Sequence, residues 1–166
     1  MFSKWRKKSA ESKVVEVAAP VTGRAVPLSE VPDEAFAGGH MGQGIAIEPE
    51  EGKLIAPFDG TVVHVIKSSH AVMVENAEGM QFLFHIGINT VSLKGEGFNS
   101  HVSTGDKVKA GQVLIEFDIS KIKEAGYPVI TPIIVTNADE VASGLETLTG
   151  PVTAGRDVIL KAVLKS

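Results

Sequence analysis

The chain has 166 residues, 43% apolar and 22% charged, the balance of a folded protein with one core rather than of a disordered chain. It contains no cysteine, which excludes disulfide scaffolds, thiolate metal centres and thiol nucleophiles within the chain and fits a reducing, cytoplasmic setting. Residues 1–13 carry a net charge of +4 and the remainder −8, so a basic protein partner is expected and a nucleic-acid partner is not.

Residue types favour strands, because 21 Val and 13 Ile outnumber 9 Leu, with 17 Gly and 8 Pro as punctuation. Residues 1–13 read as a flexible basic tail in which Phe2 and Trp5 lie among Lys4, Arg6, Lys7 and Lys8. Two aromatics and four cations supply only weak membrane contact. Residues 14–166 read as a single domain. Short alternating or apolar runs predict strands at 14–19, 44–47, 61–66, 71–75, 81–85, 113–117, 133–136 and 158–163. Helical stretches are short: 29–36 is interrupted by Pro32, 120–125 spans barely two turns, and 139–148 contains Gly144. The expected fold class is therefore all-β, an antiparallel β-sandwich or barrel with a few short helices.

An internal duplication supports that architecture. Ala19-Pro20-Val21-Thr22-Gly23 lines up with Ala56-Pro57-Phe58-Asp59-Gly60, each a turn entering a strand. A second pair sets Thr104-Gly105 and Ala110-Gly111 against Thr149-Gly150 and Ala154-Gly155. Two related halves closing on one core explain why such units recur.

Phosphate-binding loops, nucleophile elbows and zinc-protease helices have no match in the chain. Histidine is the remaining reactive group. His85 ends the apolar run Gln81-Phe82-Leu83-Phe84 and is followed by Ile86-Gly87-Ile88-Asn89, so its imidazole meets little competing solvent. His70 precedes the strand 71–75, which can pair with 81–85. Neighbouring strands lie about 5 Å apart, so two imidazoles on one face can meet. A neutral imidazole offers a lone pair as nucleophile or metal ligand. Phosphoryl transfer needs an in-line nucleophile, a second donor for the phosphate oxygens and an apolar rim that excludes water. Phe36, Met41, Ile66, Phe82 and Val91 are candidates for that rim.

The stretch from Gly79 through Val91, continued by Ser92-Leu93-Lys94-Gly95-Glu96-Gly97-Phe98, resembles enzyme IIA of the glucose type in the bacterial phosphoenolpyruvate-dependent sugar phosphotransferase system. The resemblance extends through Val31-Pro32-Asp33, Gly44-Ile45-Ala46-Ile47, Ile115-Glu116-Phe117-Asp118 and Thr131-Pro132-Ile133-Ile134, from Val14 to the C-terminus. It implies an antiparallel β-sandwich in which His85 accepts a phosphoryl group from the small carrier HPr and passes it to an enzyme IIB domain of the sugar permease. It also implies that His70 stabilises the transferring phosphate, that Ser68 orients His70, and that no nucleotide, metal or other cofactor is consumed. Asp33 matches an acidic residue of the docking surface. Asn89 stands where the family commonly has aspartate, which leaves the carrier contact without that charge. Regulatory protein targets on the same face are compatible with this reading. His40, His64 and His101 match no site position.

Two rival classes fit less well. A zinc metallopeptidase of the lysostaphin type shares a related β fold, but His40-Met41-Gly42-Gln43-Gly44 lacks the aspartate of a His-x-Gly-x-Asp motif and no His-x-His completes a zinc site. A biotinyl or lipoyl carrier domain shares turns such as Val108-Lys109-Ala110-Gly111, but no lysine sits in a modifiable motif.

Overall fold

A computed structural model describes residues 13–165. The predicted tail otherwise lies outside the described residues, and so does its expected membrane contact. Lys13 already belongs to the fold, since its carbonyl accepts a bond from Leu164 N–H at 2.8 Å and its ammonium pairs with Glu78 at 2.9 Å.

The central layer is an eight-stranded antiparallel sheet. Its strands are β2 (Gly23–Pro27), β3 (Gln43–Pro49), β5 (Gly60–Val65), β6 (Ala71–Asn76), β7 (Gln81–His85), β9 (Lys107–Val108), β11 (Thr131–Val135) and β13 (Gly150–Val152). The second layer is two three-stranded sheets. One joins β1 (Val14–Ala18), β14 (Val158–Leu164) and β12 (Ala142–Thr147); the other joins β4 (Lys53–Ile55), β10 (Val113–Phe117) and β8 (Phe98–Ser100). Both layers contribute to one large apolar cluster. The large sheet stays open, with β13 and β9 as its edges, so the fold is a sandwich and not a closed barrel.

The predicted duplication is visible in the strand order. Along the large sheet the order is β13-β2-β3-β11 and then β7-β6-β5-β9, and the two halves mirror each other across the β11–β7 pair centred on Leu83 and Ile134. The second half is one continuous stretch inserted into the first. The repeated turns make the same bonds. Ala19 donates to the Asp157 carbonyl at 2.9 Å and accepts from Gly155 at 2.8 Å; Ala56 donates to Gln112 and accepts from Gly111, both at 2.8 Å. Each alanine turn is thus clasped by the glycine turn of its own half.

Among the described residues, helices are confined to α1 (Glu34–Ala37), α2 (Ile119–Glu124) and α3 (Ala138–Val141), with 3-10 turns at Leu28–Glu30 and Thr90–Leu93. The stretch 139–148, expected as a helical crossover, becomes a strand over most of its length. Its β12 segment is held by antiparallel pairing to β14 across a register shift between Ala142 and Gly144, a long-range pairing that local propensity does not register.

Strand alternation determines which side chains reach the functional face. On β7, Phe82 and Phe84 are fully buried in the large cluster while Leu83 points to the other side. Val72 and Val74 of β6, Ile133 and Val135 of β11, and Ile45 and Ile47 of β3 follow the phenylalanines. Ala71, Ile134 and Ala46 follow Leu83 into a smaller cluster, capped by Val31 and Phe36 from the α1 segment. His85 has the parity of Leu83, so it projects from the face opposite the main core.

The central strand depends on those aromatic anchors. Phe84→Ala is expected to lower stability by about 3–5 kcal/mol, read as a fall in the urea midpoint. Trimming the exposed Val63 to alanine should stay within about 0.5 kcal/mol. Similar losses at both sites would contradict the burial assigned to β7.

Candidate active site

The β6–β7 hairpin brings the two histidines together. Ala71 pairs with His85, and Ile86 N–H donates to the His70 carbonyl at 2.8 Å, extending the ladder one step beyond the strands. The imidazole centroids lie 5.0 Å apart with planes at 79°. The Phe36 ring stands 5.1 Å from His85, and the Phe98 ring 6.4 Å from His70.

A tight turn supplies His70. Ser69 N–H donates to Ile66 at 2.7 Å, Ile66 N–H donates to Ala71 at 3.0 Å, and Ser69 takes a left-handed φ of 60°. The turn sets the Ser68 hydroxyl 2.6 Å from His70 Nδ1. A hydroxyl both donates and accepts, so this bond is compatible with either tautomer of His70.

The loop after His85 is more restrictive. Gly87 has a φ of +74°, and a Cβ placed on it would stand 2.6 Å from the Thr90 methyl and 2.9 Å from the Pro128 carbonyl. No other residue fits without displacement. This conformation turns the Gly87 carbonyl back onto His85 Nδ1 at 2.7 Å. A carbonyl only accepts, so Nδ1 carries the hydrogen. In the neutral ring Nε2 is then the nitrogen with the lone pair.

Both rings are held neutral near pH 7. Burial, with a smaller contribution from the neighbouring His85, lowers the pKa of His70 to about 4. Burial also lowers His85, opposed by the Gly87 carbonyl, the Asp33 carboxylate and its own backbone. Asp33 itself caps α1, accepting from Ala35 N–H at 2.9 Å.

The remaining candidates divide by depth. Phe36 is buried beneath the site and Ile66 half-buried beside it, whereas Met41 and Val91 are exposed at 41% and 56%. Phe82, also named as a rim candidate, lies in the main core instead, because its position on β7 is one of the inward-facing ones. Asn89 is exposed in the left-handed region at φ 63° and opens the 3-10 turn. His40 and His64 are exposed, and His101 Nε2 pairs with Glu116 at 2.7 Å. Gly87, Thr90, Pro128 and Phe98 had no individual role in the sequence reading. For Gly87 and Thr90 the local signal is the Gly-x-Asn-Thr spacing, which does not reveal where the carbonyl points.

The depressed His70 pKa couples stability to pH. Unfolded His70 takes up a proton near its ordinary pKa of about 6.5, whereas folded His70 does so only near 4. Its contribution is therefore complete above about 6.5 and is lost as pH falls from there to about 4, by on the order of 3 kcal/mol at most. Urea midpoints of the wild type and His70→Gln should diverge in slope across that window and run parallel above it. Parallel curves throughout would contradict a buried neutral His70.

Among the described residues no group of three or more His, Asp and Glu side chains is placed to hold a metal ion, so the ligand set of a zinc peptidase does not assemble. Residues 15–141 match the family described as phosphoenolpyruvate-dependent sugar phosphotransferase system, EIIA 1. The chain is 45% identical over 156 residues to a PTS system glucose-specific EIIA component of Oceanobacillus iheyensis, covering 94% of each. It is 50% identical over 131 residues to a glucose-specific EIIBCA component of Corynebacterium glutamicum, where it spans 79% of this chain and 19% of that one. Glucose permease IIA from Mycoplasma capricolum superposes with a TM-score of 0.80 at 34% identity, covering 90% of this chain and 96% of the other. With the open duplicated sandwich and its paired histidines, these similarities establish that the chain belongs to the EIIA 1 family of the phosphoenolpyruvate-dependent sugar phosphotransferase system, as an enzyme IIA of the glucose type.

Proposed function

We propose that this chain is a cytoplasmic phosphocarrier for sugar uptake that accepts a phosphoryl group on His85 Nε2 from phosphohistidine on HPr and donates it to an enzyme IIB domain. The observation that carries this reading is the bond from His85 Nδ1 to the Gly87 carbonyl, 5.0 Å ring to ring from a second neutral imidazole. The fusion of related domains to IIB and IIC in other proteins supports a IIB acceptor.

The step is an in-line displacement at phosphorus. The Nε2 lone pair forms the new P–N bond, and the old P–N bond breaks with its electron pair returning to the donor nitrogen. The proton on His85 Nδ1 stays in place, and the ring takes on the positive charge that the donor ring gives up. The Gly87 carbonyl stabilises that charge as it develops. His70 assists when Ser68 donates to its Nδ1, because Nε2 then carries the hydrogen and can donate it to a phosphate oxygen. The rings of Phe36 and Phe98 keep water from competing, and the exposed Met41 and Val91 offer apolar contact to a partner. Other proteins can use the same face while His85 is unphosphorylated.

Intact-mass measurement after incubation with phosphoenolpyruvate, enzyme I and HPr tests this directly. The wild type should gain one acid-labile phosphate and His85→Ala none. His70→Ala should still take up phosphate but pass it to IIB at least tenfold more slowly, because a donor to the transition state is lost while the nucleophile remains. Phosphate found on His40, His64 or His101 would overturn the assignment.

Asn89 is proposed to face an arginine of the carrier. Its left-handed backbone is one that aspartate also tolerates, so Asn89→Asp adds charge without strain. A charge-assisted bond is about twice as strong as a neutral one, and HPr binding should tighten by on the order of 1 kcal/mol at low salt, with the gain shrinking as salt rises. Unchanged affinity at low ionic strength would remove Asn89 from the docking surface.

A further inference from the structure

The carbonyl that selects the His85 tautomer is itself held by its neighbours. Thr90 is fully buried, and its hydroxyl donates to the Ile86 carbonyl at 2.6 Å. Its methyl group packs where a Gly87 Cβ would stand, 2.6 Å from that point. On the other side, Ile88 N–H donates to the Pro128 carbonyl at 3.0 Å. The peptides flanking Gly87 are thus each tied down, one by a side chain and one by backbone. The side-chain tie belongs to Thr90 alone.

We infer that Thr90 is a positioning residue for phosphoryl transfer, fixing the Gly87 carbonyl so that His85 carries its hydrogen on Nδ1. This rests on the reading of His85 as the acceptor. An unconstrained imidazole in water favours the opposite tautomer, with hydrogen on Nε2, and such a ring presents no lone pair at the nitrogen that faces the site. The loop must therefore hold the less favoured form. A hydrogen bond two residues along the chain does this only while the intervening peptide keeps its orientation. The Ile86 carbonyl, buried and bonded to Thr90, is the anchor for that peptide. Removing the hydroxyl frees the Ile86–Gly87 segment to rotate, weakens the bond to Nδ1, and lets the Nε2–H tautomer compete. It also withdraws one of the influences that raise the His85 pKa, so that pKa should fall further.

The test uses the full chain labelled with 15N-histidine. Long-range proton–nitrogen spectra report the tautomer of each ring without any phosphorylation, and phosphate uptake from phospho-HPr is measured in parallel. Thr90→Ala should increase the Nε2–H fraction of His85 and slow uptake about tenfold, the effect of losing one positioning hydrogen bond. Thr90→Ser, which keeps the hydroxyl, should restore both. Thr131 provides the control, since it is equally buried and its hydroxyl bonds the Val129 carbonyl at 2.9 Å, a bond to which no residue from His85 to Thr90 contributes. Thr131→Ala should leave the His85 tautomer unchanged. If Thr90→Ala does not fold, Thr90→Cys fills the space with a weak donor and is read by the same two outcomes. An Nδ1–H ring in the variant that folds, or an equal change in Thr131→Ala, overturns the inference. A tautomer shift without any wild-type phosphate on His85 would instead overturn the acceptor assignment, and with it the part of Thr90 in transfer, while its hold on the His85 tautomer would stand.

Discussion

The hydrogen bond from His85 Nδ1 to the Gly87 carbonyl is the constraint on which the site depends. It determines which nitrogen holds the lone pair, orients the ring, and places a partial negative charge where the ring would become cationic in the proposed transfer. Its geometry requires a left-handed residue two positions after the histidine, with the Thr90 methyl and the Pro128 carbonyl filling the space a Cβ would need. Glycine alone meets both demands. A short sequence after one strand therefore carries a chemical decision, which is why the loop is braced by a buried hydroxyl rather than left to solvent.

The sheet makes the second contribution. Antiparallel pairing of β6 with β7 sets Ala71 opposite His85, alternation sends His85 to the face opposite the main core, and the turn from Ile66 to Ala71, not strand parity, sets His70 beside it. Their burial is a compromise. It is deep enough to hold both imidazoles neutral, so that neither a proton nor mutual repulsion blocks the lone pair, yet His85 remains half-exposed. Asp33 acts against the desolvation of His85, as does the Gly87 bond, which keeps its depression smaller than burial alone would cause. His70 lacks such compensation among the influences acting on it, and its pKa falls to about 4.

The strands that carry the site were legible because Gln81–His85 and Ala71–Asn76 each bury alternate side chains in the main core, and Phe82 and Phe84 mark that parity. The repeat Ala19-Pro20 and Ala56-Pro57 was legible too, since both turns make the same backbone clasp. The short strands Lys53–Ile55, Phe98–Ser100, Lys107–Val108 and Gly150–Val152 were not, because two or three residues hold no period to detect. Ala142–Thr147 was misread as helix because its strand character comes from β14, far away in sequence. The histidine pair itself emerged from the residues, whereas the roles of His85, His70, Ser68 and Asp33 came from the family resemblance. What neither supplied was the direction of the Gly87 carbonyl, which depends on a positive φ and on contacts with Thr90 and Pro128.

The central claim is that backbone geometry reserves Nε2 of His85 for the phosphoryl group. Nitrogen-15 spectra of the phosphorylated, histidine-labelled protein report which ring nitrogen bears phosphorus. The account predicts a single phosphohistidine at His85, substituted on Nε2, with Nδ1 still carrying its hydrogen. Phosphorus on Nδ1 of His85 would contradict it, because that nitrogen could bond to phosphorus only after the contact with Gly87 had been broken.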